Sequence, residues 1–305
     1  MNPRRKKRKA RKLIKLSIAI GSLLTIWAVA IGIMGDSKSI IFDALFSLVG
    51  ISMSGVSLFV TNFIRKPDDD NLPFGRSQFE PLYISVQSLI IIFLCLYSFT
   101  TSIIDILNGG REVELTIALP YLITSIIVCI GLSIFFRKKA RQLKSDYVLI
   151  EANEWQLDAL LSFGVLIVLS LSYFFKNTSL SKLIPYLDPV TVLIISLLFM
   201  RIPARTFWKN IKELLQFAPD DEVENRIHEA SEKISEQHQF LDLLVRVVKT
   251  GSSYTVEIDF LVPKDQAQKP LIELDEIRQE LYDLIKGDYQ MWLTISFTTE
   301  RKWML

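Results

Sequence analysis

Three carboxylates stand close together in Ile150-Glu151-Ala152-Asn153-Glu154-Trp155-Gln156-Leu157-Asp158, and the apolar run Ala159 to Phe175 follows without a break. Spacings of three and four put Glu151, Glu154 and Asp158 on one face of a helix. Carboxylates bind hard cations through oxygen and exchange protons. A charge near the centre of a bilayer costs roughly 2.5–3.5 kcal/mol on insertion scales. An acidic stripe on an apolar helix therefore reads first as an ion or proton pathway.

The rest of the chain must supply the membrane frame for that stripe. Half of its 305 residues are hydrophobic, and they are bunched into long runs rather than spread as in a soluble core. Six segments are long enough to span about 30 Å of hydrocarbon at ~1.5 Å per residue. They are Ile14–Met34, Ser39–Ile64, Pro81–Leu107, Leu115–Phe136, Val148–Phe175 and Ile184–Ile202. Lys and Arg crowd the N-terminus (MNPRRKKRKARK), the second loop (Arg65, Lys66, Arg76) and the fourth (Arg137, Lys138, Lys139, Arg141, Lys144). The alternate loops hold only Lys38, only Arg111, and Lys176 with Lys182. Positive residues stay inside, so both termini are expected in the cytoplasm.

Up to Lys212 the chain has 25 Lys and Arg against 14 Asp and Glu; from Glu213 onward it has 10 against 19. A basic membrane half thus precedes an acidic tail. The basic N-terminus suits anionic lipid headgroups. It lacks the interleaved aromatics of a nucleic-acid patch, and the apolar run behind it is too long for a signal peptide. Cys95 and Cys129 fall inside apolar runs and read as buried, inert thiols.

Between the second and third spans, residues 66–81 are rich in Pro, Gly and Asn and read as a turn-forming loop. Its acids Asp68, Asp69 and Asp70 either offer oxygens to a hard cation or are simply solvated. Past Arg201 the pattern changes. Val223, Ile227, Ala230 and Ile234 recur at helical spacing behind an acidic first turn. Leu241–Val248 and Tyr254–Val262 read as strands joined through Thr250-Gly251-Ser252-Ser253. In the second strand Val256, Ile258 and Phe260 face one way and Glu257 and Asp259 the other. Leu271–Ile285 is an amphipathic helix, and Tyr289–Phe297 a last strand. The expectation is an αββαβ, ferredoxin-like α+β domain. The domain plan is a basic N-terminus (1–13), a six-helix all-α transmembrane domain (14–206) and a cytoplasmic α+β domain (207–305).

Several marks in this order resemble the cation diffusion facilitator transporters. They are six spans with both ends inside, Asp43-Ala44-Leu45-Phe46-Ser47-Leu48 in span two, and Pro73-Phe74-Gly75 followed five residues later by Glu80. An acid-x-x-x-Asp pair in span five, Asp188-Pro189 in span six and the αββαβ tail complete the set. The resemblance covers the chain from Leu16 to about Phe297. It implies export of a divalent cation from the cytoplasm, driven by inward proton flow, by a homodimer that alternates its access. It also implies a transport site of four side chains, two each from spans two and five. Span five matches at Glu154 and Asp158. In span two the corresponding positions are Phe46 and Gly50, which offer no ligand.

Depth arithmetic at ~1.5 Å per residue places Ser47 about level with Asp158 and Asp43 a turn or more towards the outside. Asp43 and Ser47 are the span-two candidates for the metal site, with Asp43 open to a capping role instead. Glu151, near the cytoplasmic edge, is a gate or entrance acid. Asn153 points off the acidic face, and Trp155 is an anchor or packing residue. Asp105 is expected to pair with Arg111. Gly75, Glu80 and Asp188 are read as structural, Asp188 because the following proline suits a helix start. The family's loop site is absent, with Leu72 and Arg76 at its histidine positions. His228 and His238 are the only histidines and read as surface residues rather than zinc ligands.

An all-oxygen set favours Mn²⁺, Mg²⁺ or Fe²⁺ over Zn²⁺. The same carboxylates are protonatable, which points to metal–proton antiport with the metal as cargo and no tightly bound cofactor. Two alternatives stay open. One is a scaffold or sensor of the same fold that no longer moves metal; the other is a proton-linked transporter of a non-metal cation. An enzyme is excluded by the want of a nucleophile–base pair, a ligand cluster or a phosphate loop. The plasma membrane of a bacterium fits the short chain.

Overall fold

A computed structural model describes residues 3–64, 66, 69–111, 113–143, 146–176, 178–219, 221–287 and 289–304. Six long helices come first: α1 (Pro3–Met34), α2 (Lys38–Ile64), α3 (Phe79–Leu107), α4 (Leu115–Leu143), α5 (Asp146–Phe175) and α6 (Ile184–Leu214). Among the described residues, α1 and α3 to α6 are long and apolar enough to cross a membrane. The remaining helix, α2, has 27 residues, about 40 Å at 1.5 Å per residue. Helices α1, α4 and α6 run beyond their apolar segments into the basic residues at their ends, because Lys and Arg are good helix formers.

These helices are inverted relative to a soluble bundle. Leu23, Phe93, Ile127, Phe163 and Leu198 face outward, while Ser98, Ser102, Ser125, Ser133, Ser162 and Ser196 are buried. That is the expected arrangement when the surrounding solvent is hydrocarbon and small polar residues tie helices together. The α4–α5 pair shows it best. The Ser133 hydroxyl donates to the Ala152 carbonyl at 2.8 Å, Ser125 and Ser162 meet at 3.4 Å, and Arg137 donates to Asn153 at 3.0 Å. Ala152, Trp155 and Ala159 pack against Cys129, Phe136 and Ala140 between those bonds.

The chain divides into two compact units, Met1–Leu58 with Gln87–Arg205, and Phe59–Val86 with Thr206–Leu305. In the second unit α7 (Glu222–Gln237), β1 (Asp242–Thr250), β2 (Ser253–Leu261), α8 (Leu271–Ile285) and β3 (Gln290–Thr298) follow the αββαβ order. The sheet order is β1-β2-β3. Strands β1 and β2 form an antiparallel hairpin, registered from Asp242↔Leu261 to Thr250↔Ser253. Strand β3 returns through α8 to run parallel to β2, from Ser253↔Gln290 to Leu261↔Thr298. A parallel neighbour needs a crossover of this kind, so the sheet is mixed. Ile227 and Ile234 of α7 and Ile277, Leu281 and Ile285 of α8 close on Val256, Ile258 and Phe260. Each fully buried side chain of this size contributes about 1.5–3 kcal/mol.

On the other face of β2 the two acids part company. Glu257 is exposed, but Asp259 is buried and accepts from Arg246 at 3.0 Å. Arg246 also donates to the Met304 carbonyl at 2.6 Å, so the C-terminal turn helps to cover that charge. The hairpin turn needs Gly251. Its φ is +60°, and a Cβ there would come within 2.6 Å of Glu80 Oε2.

Helix α7 begins on Asp221, whose carboxylate accepts from the amides of Val223 and Glu224 at 3.1 and 3.2 Å. Its other oxygen accepts from Tyr254 at 2.7 Å and Lys249 at 3.1 Å. Partial burial pushes this carboxyl up. The bonds from Tyr254, Lys249 and the Glu224 amide outweigh that and hold it below the ordinary aspartate range. Replacing Asp221 with Ala should cost about 1–2 kcal/mol, the range for loss of an N-cap. A depressed carboxyl contributes its stability above the unfolded value of about 3.9 and loses it as pH falls through the folded one. Thermal unfolding should therefore show the gap between wild type and the variant narrowing from about pH 7 to about pH 3.

Candidate functional site

A cavity of about 310 Å³ lies within the membrane helices, and the acidic face of α5 opens onto it. Glu151, Glu154 and Asp158 all line it, as their helical spacing requires. From α2 come Asp43 and Ser47. Asp43 is only 8% exposed and lies within electrostatic reach of Asp158. The two acids come from different helices, α2 and α5. One cavity nevertheless takes in both.

Position in the cavity separates the three acids of α5. Glu151 is half-buried on the side of α1 that carries Ser17. Ser17 accepts from the Trp155 indole N–H at 2.8 Å, which fixes Trp155 against α1 as a buried packing residue. Glu154 is exposed and stands between Glu151 and Asp158, each of which it senses electrostatically. Asp158 is half-buried further in. Asn153 faces away and accepts from Arg137.

Phe46 and Gly50 also border the cavity without offering a donor. Phe46 packs edge-on against Phe199, ring centres 5.2 Å apart. A Cβ at Gly50 would meet nothing within 4 Å. Among the described residues, no three of His, Cys, Asp and Glu converge closely enough to hold one ion. The acids are strung along the cavity rather than gathered at a point.

The other acids have structural partners. Asp188 is the fifth residue of α6, so the following Pro189 does not mark the beginning of that helix. Its carboxylate caps a different helix. It accepts from the Ser37 hydroxyl at 2.8 Å, the Lys38 amide at 2.9 Å and the Ser39 amide at 3.3 Å, at the N-terminus of α2. Asp105 pairs with Lys38 at 2.6 Å and lies 3.8 Å from Arg111, whose nearer partner is Asp36. In the loop before α3, Asp68 lies outside the described residues. Asp69 accepts from the Leu72 amide and pairs with the buried Arg76 at 2.5 Å, while Asp70 is exposed. Gly75 turns the loop at φ +84°. Glu80 packs on the Gly251 turn. His238 stacks on Phe240 and faces Glu280 at 3.8 Å.

A polar stripe on α4 completes the lining. Tyr121, Ser125 and Cys129 all reach the cavity and are all buried. Their four-residue spacing is visible in the sequence, but each residue type is unremarkable in an apolar helix.

Six long helices with apolar exteriors and an acidic interior cavity, followed by a small α+β domain, define an integral membrane protein. Residues 14–215 match the family model for the cation efflux transmembrane domain, and the chain belongs to that family of metal cation transporters. It is 24% identical over 269 residues to an uncharacterized transporter of Methanocaldococcus jannaschii, covering 88% of this chain and 91% of that one. To the manganese efflux system protein MneP of Bacillus subtilis it is 21% identical over 217 residues, 70% of this chain and 71% of that one. A similar match to metal tolerance protein 2 of Oryza sativa, 24% identical over 244 residues, takes in 72% of this chain but only 61% of the rice protein.

Two outcomes follow from this geometry. Asp188→Ala strands a buried hydroxyl and two amides at the start of α2. Unpaired buried donors cost about 1–3 kcal/mol each, so unfolding of the purified protein in detergent should shift clearly downward. Gly50→Asp adds a carboxylate where there is room for its Cβ. It should leave the unfolding temperature near wild type and tighten divalent-cation binding by calorimetry.

Proposed function

We propose that the chain exports a divalent metal cation in exchange for protons, with Asp43, Glu154 and Asp158 taking turns as metal ligands and proton carriers. The observation that carries this reading is that Asp43 and Asp158, from two different helices, line one cavity. Two carboxylates balance one divalent ion, and protonating them removes the charge that holds it. Ser47 supplies a further oxygen, and Glu151 stands at the entrance. The donors on α2 and α5 are all oxygen, which suits Mn²⁺, Mg²⁺ or Fe²⁺ before Zn²⁺. Similarity to a protein named for manganese efflux supports the same choice. The working unit is a homodimer with both termini in the cytoplasm, its basic N-terminus on anionic lipid. A bacterial plasma membrane is the proposed location.

Cavity size favours a second reading. A volume of about 310 Å³ exceeds what a bare ion needs and falls at the lower end of small-molecule pockets, roughly 300–1,000 Å³. The spread of the acids is equally compatible with a larger organic cation. Flux measurements in reconstituted vesicles separate the two. With Mn²⁺, Mg²⁺, Fe²⁺, Co²⁺ and Zn²⁺ tested at two pH values, Mn²⁺ movement should be accompanied by opposite proton movement. Asp158→Asn and Asp43→Asn should each abolish it. Full flux in Asp158→Asn would falsify the transport site. If no metal moves but an organic cation does, the second reading holds; if nothing moves, the chain is a scaffold or sensor.

A further inference from the structure

The α2 wall of the cavity lacks donors at Phe46 and Gly50, and α4 has them. Tyr121, Ser125 and Cys129 recur every four residues and so share one face. They are 4, 5 and 3% exposed, and all line the cavity. Elsewhere on the same helix Ile123, Ile127 and Ile134 face outward. Two of them are also linked to the acid-bearing helix α5. Ser125 Oγ lies 3.4 Å from Ser162 Oγ and 3.9 Å from Cys129 Sγ. Ser162 lies one turn beyond Asp158 on α5, and Cys129 lies within electrostatic reach of both Asp158 and Asp43. Interhelical packing alone accounts for one serine contact between α4 and α5. Tyr121 and Cys129 also pack in apolar clusters, yet a phenol, a hydroxyl and a thiol on the lining of one acidic cavity go beyond that single contact.

We propose that this α4 stripe is the third wall of the cargo site, with Cys129 a sulfur ligand that admits thiophilic divalent cations beside the oxygen-preferring ones. The inference rests on the transport reading above and deepens it. Sulfur selects softer ions than carboxylate does. On binding, the thiol gives up its proton and the resulting thiolate coordinates the metal. The hydroxyls of Ser125 and Tyr121 offer oxygens to the same ion or to its hydration water. Cys95, packed with Phe42 and Val192 away from the cavity lining, takes no part.

Cadmium is the probe, because a Cd²⁺–thiolate bond absorbs in the ultraviolet. Full-length protein in detergent micelles titrated with Cd²⁺ should develop that absorption. Cys95→Ser should retain it, and Cys129→Ser and Cys129→Ala should both lose it. In vesicles the ratio of Cd²⁺ flux to Mn²⁺ flux should fall in both Cys129 variants by roughly tenfold or more, the scale on which even outer-sphere partners of a metal act. Absence of the band in wild type, its survival without Cys129, or an unchanged flux ratio overturns the proposal. Size-exclusion profiles identify a variant that has misfolded, and the other Cys129 substitution then gives the result. The two ideas fail separately. A missing Cd²⁺ band with Mn²⁺ flux that still depends on Asp158 removes only the sulfur ligand, whereas Mn²⁺ flux indifferent to Asp158 removes the site itself.

Discussion

A carboxylate inside a bilayer must be enclosed by protein or water, and the membrane helices are arranged around that requirement. Four acids, Asp43, Glu151, Glu154 and Asp158, share one cavity, and every helix that borders them contributes polar side chains there. The serines that bind helix to helix lie on the same inner surfaces. Polar residues scattered through apolar segments thus serve together, some as ties between helices and others as lining. Apolar residues are released to the outside, where hydrocarbon accepts them at no cost.

The C-terminal domain follows the opposite rule and ordinary soluble physics. Its apolar side chains converge between two helices and one sheet face. Even here one charge, Asp259, is drawn inside, and it is tolerated because Arg246 meets it directly. Asp221 shows how economically a single carboxylate can be used. It caps α7 with one oxygen and holds Tyr254 and Lys249 of the β-hairpin with the other. Helix and sheet are joined at that point by charge as well as by apolar packing.

Much of this was legible in the sequence, for physical reasons. Long apolar runs and helical spacing of acids report directly on spans and on the α5 stripe. Alternation of Val256, Ile258 and Phe260 reports on β2 in the same way. What could not be read is tertiary partnership. Asp188 precedes a proline, which suggested a local helix start, yet its acceptors are filled from α2, about 150 residues earlier in the chain. Asp259 alternates as an outward residue, yet it is buried, with Arg246 of the neighbouring strand and not a residue of its own strand as its partner. Cys129 is buried, as an isolated thiol in an apolar run suggests; that it also lines the cavity depends on how α4 is rotated against α5.

The tie at Asp188 also has a mechanical side. Three donors at the first turn of α2 are held by one carboxylate of α6, so that end of the helix is pinned. At 1.5 Å per residue, Asp43 lies about 8 Å from the pin and Val56 about 27 Å. Any tilt of α2 about the pinned end is then geared. Val56 sweeps roughly three to four times as far as Asp43, so the acid beside the pin is the part of the helix that such a tilt moves least.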